Sequence, residues 1–125
     1  MALFPRSSKQ VGNDAESLAC DYLQRQGMSL LTRNFHCKCG ELDLVMQDKN
    51  SIVFVEVRYR SNPHYGSPAD SVTSAKQDKL IKTALYYLQQ HPGLARRASR
   101  FDVIAISSRN SETKIEWIKN AFLAG

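Results

Sequence analysis

Long hydrophobic runs are missing from this chain. Nowhere in its 125 residues does an apolar stretch approach the roughly 20 residues that a membrane-crossing helix needs. Met1 to Gln10 lacks the apolar segment of a signal peptide, so the chain reads as cytoplasmic and free of membrane contact. Cysteine is scarce and odd in number, with only Cys20, Cys37 and Cys39. Without an export signal that means free thiols and no disulfide framework. His36, Cys37 and Cys39 form one cluster with no second pair, short of the four-ligand spacing of a structural zinc site. Negative charge is also thin: 12 acidic residues stand against 17 basic ones, for a net charge of +5. A small basic domain favours polyanions, nucleic acid above all. Apolar residues make up 42% and charged residues 23%, ordinary globular values that exclude a disordered chain.

What is there reads as one α/β domain. Residues 1–12 have the look of a flexible, basic tail, and 13–125 of a single folded unit. Ala15, Leu18, Ala19, Tyr22 and Leu23 make one apolar stripe of a helix over 14–26, capped at Asn13 or Asp14 and stopped by Gly27. Short strands are expected over 28–34, 41–47 and 52–59, with turns at 36–40 and 48–51. A loop over 60–71, rich in Ser, Asn, Pro and Gly, contains His64 and Tyr65. Beyond it a second helix runs from Ser71 or Thr73 to Gln90, with Leu80, Ile81, Ala84, Leu85 and Leu88 as its core stripe. Strands over 101–107 and 115–118 complete the order α-β-β-β-α-β-β, a mixed α/β architecture. Asp102 stands alone in the apolar run 101–106, which reads as buried on both faces. It therefore needs a structural partner, such as Arg100 or a helix lysine.

Pairing the two central strands across the turn at 48–51 is the most informative step. Gln47 then faces Ile52, Val45 faces Phe54, Asp43 faces Glu56, and Glu41 faces Arg58, all on one side of the sheet. The other side pairs Met46 with Val53, Leu44 with Val55 and Leu42 with Val57, wholly apolar. Two acids directly opposite each other destabilise a sheet and raise one another's pKa unless a cation lies between them. A divalent ion is one compensation, and oxygen-only ligands select Mg²⁺ or Mn²⁺ over zinc. The other is an ion-pair cluster in which Arg58 neutralises the acids. The basic residues Arg58, Arg60, Lys79, Lys82, Arg96, Arg97 and Arg100, with Lys76 at the helix start, are candidates for a phosphate-tracking surface. Tyr59 and Tyr65 are candidates for stacking on bases.

Three segments together, Gly40-Glu41-Leu42-Asp43-Leu44-Val45, Phe54-Val55-Glu56-Val57-Arg58-Tyr59-Arg60 and Arg100-Phe101-Asp102-Val103-Ile104, closely resemble the YraN-like family (UPF0102) of small bacterial proteins. The resemblance spans about 15–122. That family in turn is similar to the PD-(D/E)xK nuclease superfamily and to archaeal Holliday junction resolvases. The resemblance implies a restriction-endonuclease-like fold, a mixed central sheet flanked by helices. It implies hydrolysis of DNA phosphodiesters, branched or structured DNA included, by a Mg²⁺- or Mn²⁺-dependent site. Asp43 matches the first acid and Glu56 the second, with Glu16 on the first helix and Glu41 in support as metal ligands. Arg58 stands where the superfamily carries its lysine. Arginine holds phosphate well but gives up no proton near neutral pH, so Lys76 is the candidate for the missing amine. The readings are a metal-dependent hydrolase acting on DNA rather than RNA, a nucleic-acid-binding module of nuclease ancestry that does not cut, and, more distantly, a protein-binding adaptor. A homodimer is left open.

Overall fold

The computed structural model describes residues 8–60, 72–110 and 112–123. The chain order is α1 (Ser8–Arg25), β1 (Ser29–Cys37), β2 (Gly40–Asp48), β3 (Ser51–Arg60), α2 (Ser74–Gln90), α3 (Pro92–Ala95), β4 (Ser99–Arg109) and β5 (Glu112–Phe122). The strands form one sheet in the order β1-β2-β3-β4-β5. Only β3 and β4 pair in parallel; the other neighbours are antiparallel. The parallel pair follows from the connection, since a strand that returns through a helix crosses over and runs the same way. The α-β-β-β-α-β-β order expected from the sequence is the observed one, with a single helical turn, α3, added beyond Gln90, where no element was expected.

Each face of the sheet is covered by one helix. Ala15, Ala19, Cys20 and Leu23 of α1 pack on Leu44, Met46, Val53, Val55, Ile104 and Ile106. Leu80, Ala84 and Tyr87 of α2 pack on Val45, Ile52, Phe54, Phe101 and Val103. The central strands are therefore buried on both sides, and the whole run from Phe101 to Ile106 is buried, Asp102 included. Gly27 ends α1 with φ of 99°, a left-handed turn that lets Met28 N–H reach Leu23 O at 3.1 Å.

Several expectations need correction. α1 begins at Ser8, so residues 8–12 are helical, while 1–7 lie outside the described residues. Leu18 and Leu85 are 41% and 55% exposed, because each stripe is narrower than its apolar residues allow. On α2 it is Tyr87, not Leu85, that lies in the core. It is 1% exposed and its hydroxyl bonds Thr32 Oγ1 at 2.7 Å. The loop with His64 and Tyr65 lies outside the described residues. Among those described, no helix is long and apolar enough to cross a membrane.

Asp102 takes the structural role assigned to it. Arg100 Nε donates to it at 3.0 Å, Trp117 Nε1 at 3.0 Å and the Asn120 backbone N–H at 3.1 Å. Asn120 has φ of 51° and sits beside the register shift between β4 and β5. The carboxylate thus takes up a donor that the bulge removes from the ladder. Arg100 also donates to Asp48 Oδ2 at 3.1 Å.

Candidate active site

The two-residue turn at Lys49-Asn50 sets the register of β2 on β3. Asp48 pairs with Ser51, Gln47 with Ile52, Val45 with Phe54, Met46 with Val53 and Leu44 with Val55, as the sequence pattern required. There the ladder stops. Asp43 next along does not continue it through its backbone; its Oδ2 accepts the Val57 N–H at 2.8 Å. The expected pairs Asp43–Glu56, Leu42–Val57 and Glu41–Arg58 are absent from the register. Leu42 has also changed sides, packing in the α2 core with Val45 and Phe54. A side chain that takes over a ladder donor ends regular alternation at that residue, and sequence periodicity carries no sign of it.

The two acids are thereby held at the diverging end of β2 and β3. A cleft of about 400 Å³ opens between this end and the first turns of α2, lined by Glu41, Asp43 and Glu56 on the strands and by Lys76, Lys79 and Thr83 on the helix. Thr73 caps α2, its Oγ1 accepting from Lys76 N–H at 3.3 Å, a bond of a kind that contributes about 1 kcal/mol and fixes where the first turn begins. Helix and strand approach closely on the far wall. A Cβ at Gly40 would stand 3.0 Å from Thr83 Oγ1, and Gly40 has φ of 150°, so only glycine fits there without strain.

Electrostatics mark the pair. Burial, then the adjacent Asp43 charge, push Glu56 up to about 7, against the pull of Arg58 and Lys76. Asp43 is also raised, by burial first and by Glu41, while the Val57 hydrogen bond, Arg58 and Lys76 oppose the rise. Arg58 Nε stands 3.5 Å from Glu56 Oε1. On the α1 side, Glu16 is raised by burial and by Asp43. Its Oε1 is buried and accepts no hydrogen bond, with Arg33 Nε 3.6 Å away.

The structure thus brings Asp43, Glu56, Glu41, Lys76 and Lys79 to one cleft, with Arg58 at its edge and Glu16 within reach of Asp43's charge. It does not close the four carboxylates Asp43, Glu56, Glu16 and Glu41 into a cage. Among the described residues no three His, Cys, Asp or Glu side chains converge to hold a metal ion by themselves. Glu41 is turned outward, 3.8 Å from His36 Nδ1. Arg100 is engaged by Asp48 and Asp102 and lies away from the cleft. Lys82, Arg96 and Arg97 are exposed, Arg60 is half-buried, and none of them lines the cleft. The contributions of Val57 N–H, Gly40 and Thr83 were not read from the sequence. Only Gly40, inside the Gly-Glu-Leu-Asp run, left a local signal there.

The model of uncharacterised protein family UPF0102 matches residues 15–106. The chain belongs to the UPF0102 family. It is 50% identical to a UPF0102 protein of Vibrio parahaemolyticus over 125 residues, covering 100% of both chains. It is 46% identical to one of Nitrosococcus oceani over 118 residues, covering 94% of this chain and 95% of that one. A Coxiella burnetii relative is 47% identical over 114 residues, covering 91% and 92%. In this UPF0102 chain the matched span takes in Glu16, Asp43, Glu56, Lys76 and Asp102.

Proposed function

We propose that this UPF0102 protein is a divalent-cation-dependent nuclease that hydrolyses a phosphodiester of DNA, branched or structured DNA included, with Asp43 and Glu56 as the cation-holding pair. The observation that carries the reading is the pair itself: two largely buried carboxylates side by side, both driven toward protonation, sharing a cleft with a lysine. The donor set fits Mg²⁺ or Mn²⁺. It is all oxygen, and Mg²⁺ commonly takes one or two protein carboxylates and keeps its remaining positions for water and phosphate. Glu16 Oε1, buried without a hydrogen bond and 3.6 Å from Arg33 Nε, lies on the α1 side and feels the charge of Asp43. Held by the pair, the cation would offset charge on the phosphate and lower the pKa of the attacking water.

The chain's own groups supply the rest. Val57 N–H orients Asp43. Lys76, fixed at the start of α2 by the Thr73 cap, presents its amine to both acids, the position from which it can orient water or hold its proton. Arg58, beside Glu56, offers a planar fork to a phosphate oxygen but is no base. Lys79, at the cleft mouth, adds a phosphate contact. The exchange of Lys76 and Arg58 tests this division of labour. Lys76→Ala is expected to remove most cleavage of a DNA substrate while binding is kept, and Arg58→Ala to weaken binding more than turnover. Lys76→Ala that cuts as well as wild type would remove the amine from the mechanism.

A second reading, a DNA-binding module that does not cut, is favoured by one feature, the arginine at 58 where the nuclease pattern has lysine. It keeps every phosphate contact and assigns the acids to an ion-pair cluster with Arg58 and Lys76.

A further inference from the structure

Tyr59 stands outside the acid cleft. It is 43% exposed near the end of β3 and lies opposite Ile106 in the parallel register with β4. Val57, two residues back on the same strand face, packs against the α1 core. Tyr59 is therefore on the α1 side of the sheet, whereas Glu56 faces α2 and lines the cleft there. A second cavity, of about 230 Å³, opens on the α1 side, between that helix, the last residues of β3 and β4 and the first of β5. Asp14 and Leu18 form its helix wall, and Tyr59, Ile106, Ser108 and Thr113 its sheet wall. Ser108 and Thr113 are partners in the β4–β5 register, which sets their side chains next to each other.

The chemistry of these walls selects an occupant. Among the described residues no lysine or arginine lines the cavity, which favours an uncharged group over a phosphate. The exposed Tyr59 ring and Leu18 offer apolar surface to the face of a planar group, and two hydroxyls and the Asp14 carboxylate meet its edge. A hydroxyl both donates and accepts, so it suits more than one edge pattern. A nucleobase has that flat face and that polar edge, and stacking on an aromatic ring serves any base. The volume is below the roughly 300–1,000 Å³ of drug-sized pockets, which suits one ring system. The place matches as well. Tyr59 is three residues beyond Glu56 on β3, roughly 10 Å at about 3.3 Å per residue, and Arg58 lies between them with its Nε 3.5 Å from Glu56 Oε1. A base paired in a duplex is held in the stack, whereas an unpaired one enters a pocket at least cost. We propose that the cavity between α1 and the rim of β3, β4 and β5 is a subsite for one unpaired nucleobase of the strand held at the acid cleft, with Tyr59 as its stacking platform. The substrate class that follows is DNA with an unpaired nucleotide beside the phosphate that meets Asp43 and Glu56. The inference rests on the reading of the acid cleft as a place where DNA phosphate is held.

The test is binding by the full chain, without divalent cation, of three DNA duplexes followed by fluorescence anisotropy: one fully paired, one with a single bulged adenine, and one with an abasic residue in that bulge. Wild type should bind the adenine bulge about tenfold more tightly than the abasic bulge, near the lower end of what stacking on an aromatic side chain supplies. Tyr59→Ala should erase the difference, and Tyr59→Phe, which keeps the ring, should retain it. Lys79→Ala should weaken all three duplexes alike, since it removes a phosphate contact and no base contact. Equal wild-type affinity for the two bulges, or a preference that survives Tyr59→Ala, would overturn the inference, and a loss in Lys79→Ala would then leave the cleft standing as a DNA site. A preference removed by Tyr59→Ala, in a protein that cuts nothing when Mg²⁺ or Mn²⁺ is added, would uphold the subsite and strike the nuclease reading alone. A wild type that binds none of the three would overturn both.

Discussion

Val57 donates its backbone N–H to Asp43 Oδ2 at 2.8 Å, at the point where β2 and β3 cease to pair. One hydrogen bond therefore does two things. It supplies a partner for a donor that the ended ladder would leave bare, and it holds the Asp43 carboxylate beside Glu56. Two carboxylates so placed stabilise the fold poorly by themselves, so a proton or the proposed cation between them should change the protein's stability.

A cation should show itself as stability. On the proposed reading Mg²⁺ or Mn²⁺ would bind the folded site and not the unfolded chain, so it should raise the melting temperature by mass action. Asp43→Ala with Glu56→Ala should abolish the rise. A rise of equal size in the double variant would move the cation elsewhere.

pH should act on the same pair. Glu56 is raised from 4.5 to about 7 in the folded chain, so between those values the folded state holds a proton that the unfolded state has released. The stability due to this group is then full below about 4.5 and is lost as pH rises through about 7. Melting temperature measured across that window without divalent ions should fall with pH, and Glu56→Gln should flatten the fall. Saturating Mn²⁺ at the alkaline end should restore most of the loss, since the cation takes the place of the proton. An identical slope in Glu56→Gln would assign the pH dependence to another group.

Asp102 should matter for stability and not for the cation. Its side chain is fully buried and bonds Arg100, Trp117 and Asn120. Asp102→Ala removes the acceptor of the Arg100 Nε–H, the Trp117 indole N–H and the Asn120 N–H and leaves Arg100 with Asp48 alone, a loss of about 3 kcal/mol, or about 10 °C in melting temperature. Mn²⁺ affinity of the folded variant should match wild type. A melting temperature within about 2 °C of wild type would contradict the assigned role.

DNA binding should track the cleft lysines. Lys79 lines the cleft, whereas Arg97 is exposed beyond the far end of α2. Lys79→Ala should reduce the slope of log affinity against log salt by about 1, as one phosphate contact is lost. An unchanged slope would place the bound strand elsewhere.

Much of this was legible in the sequence, for physical reasons that also mark where legibility ends. The turn chemistry at 48–51 fixes the register from Asp48–Ser51 to Leu44–Val55 and so brings Asp43 and Glu56 to one end of the hairpin, although the direct pairing expected of them is absent. Asp102 was legible as a structural acid, since a charge in an apolar strand demands a partner, and Arg100 was near enough to name. Leu42 was misplaced because a side-chain-to-backbone bond at Asp43 interrupts the alternation on which its placement depended. Trp117 and Asn120 were missed as partners of Asp102 because a bulge in β5 brings them there. Leu85 was put inside and Tyr87 overlooked, although Leu80, Ala84 and Tyr87 follow helical spacing, because apolarity was weighed above stripe width.

The most direct test is cleavage of a panel of DNA substrates (single-stranded, duplex, nicked and branched) by wild type and Glu56→Gln with Mg²⁺ or Mn²⁺. The account predicts cation-dependent cutting of at least one substrate by wild type. It predicts loss of that cutting in Glu56→Gln by at least about 10²-fold, the lower end for a group acting at the reacting centre, with DNA binding retained. No cutting of any substrate by wild type with either ion, or cutting undiminished in Glu56→Gln, would contradict it.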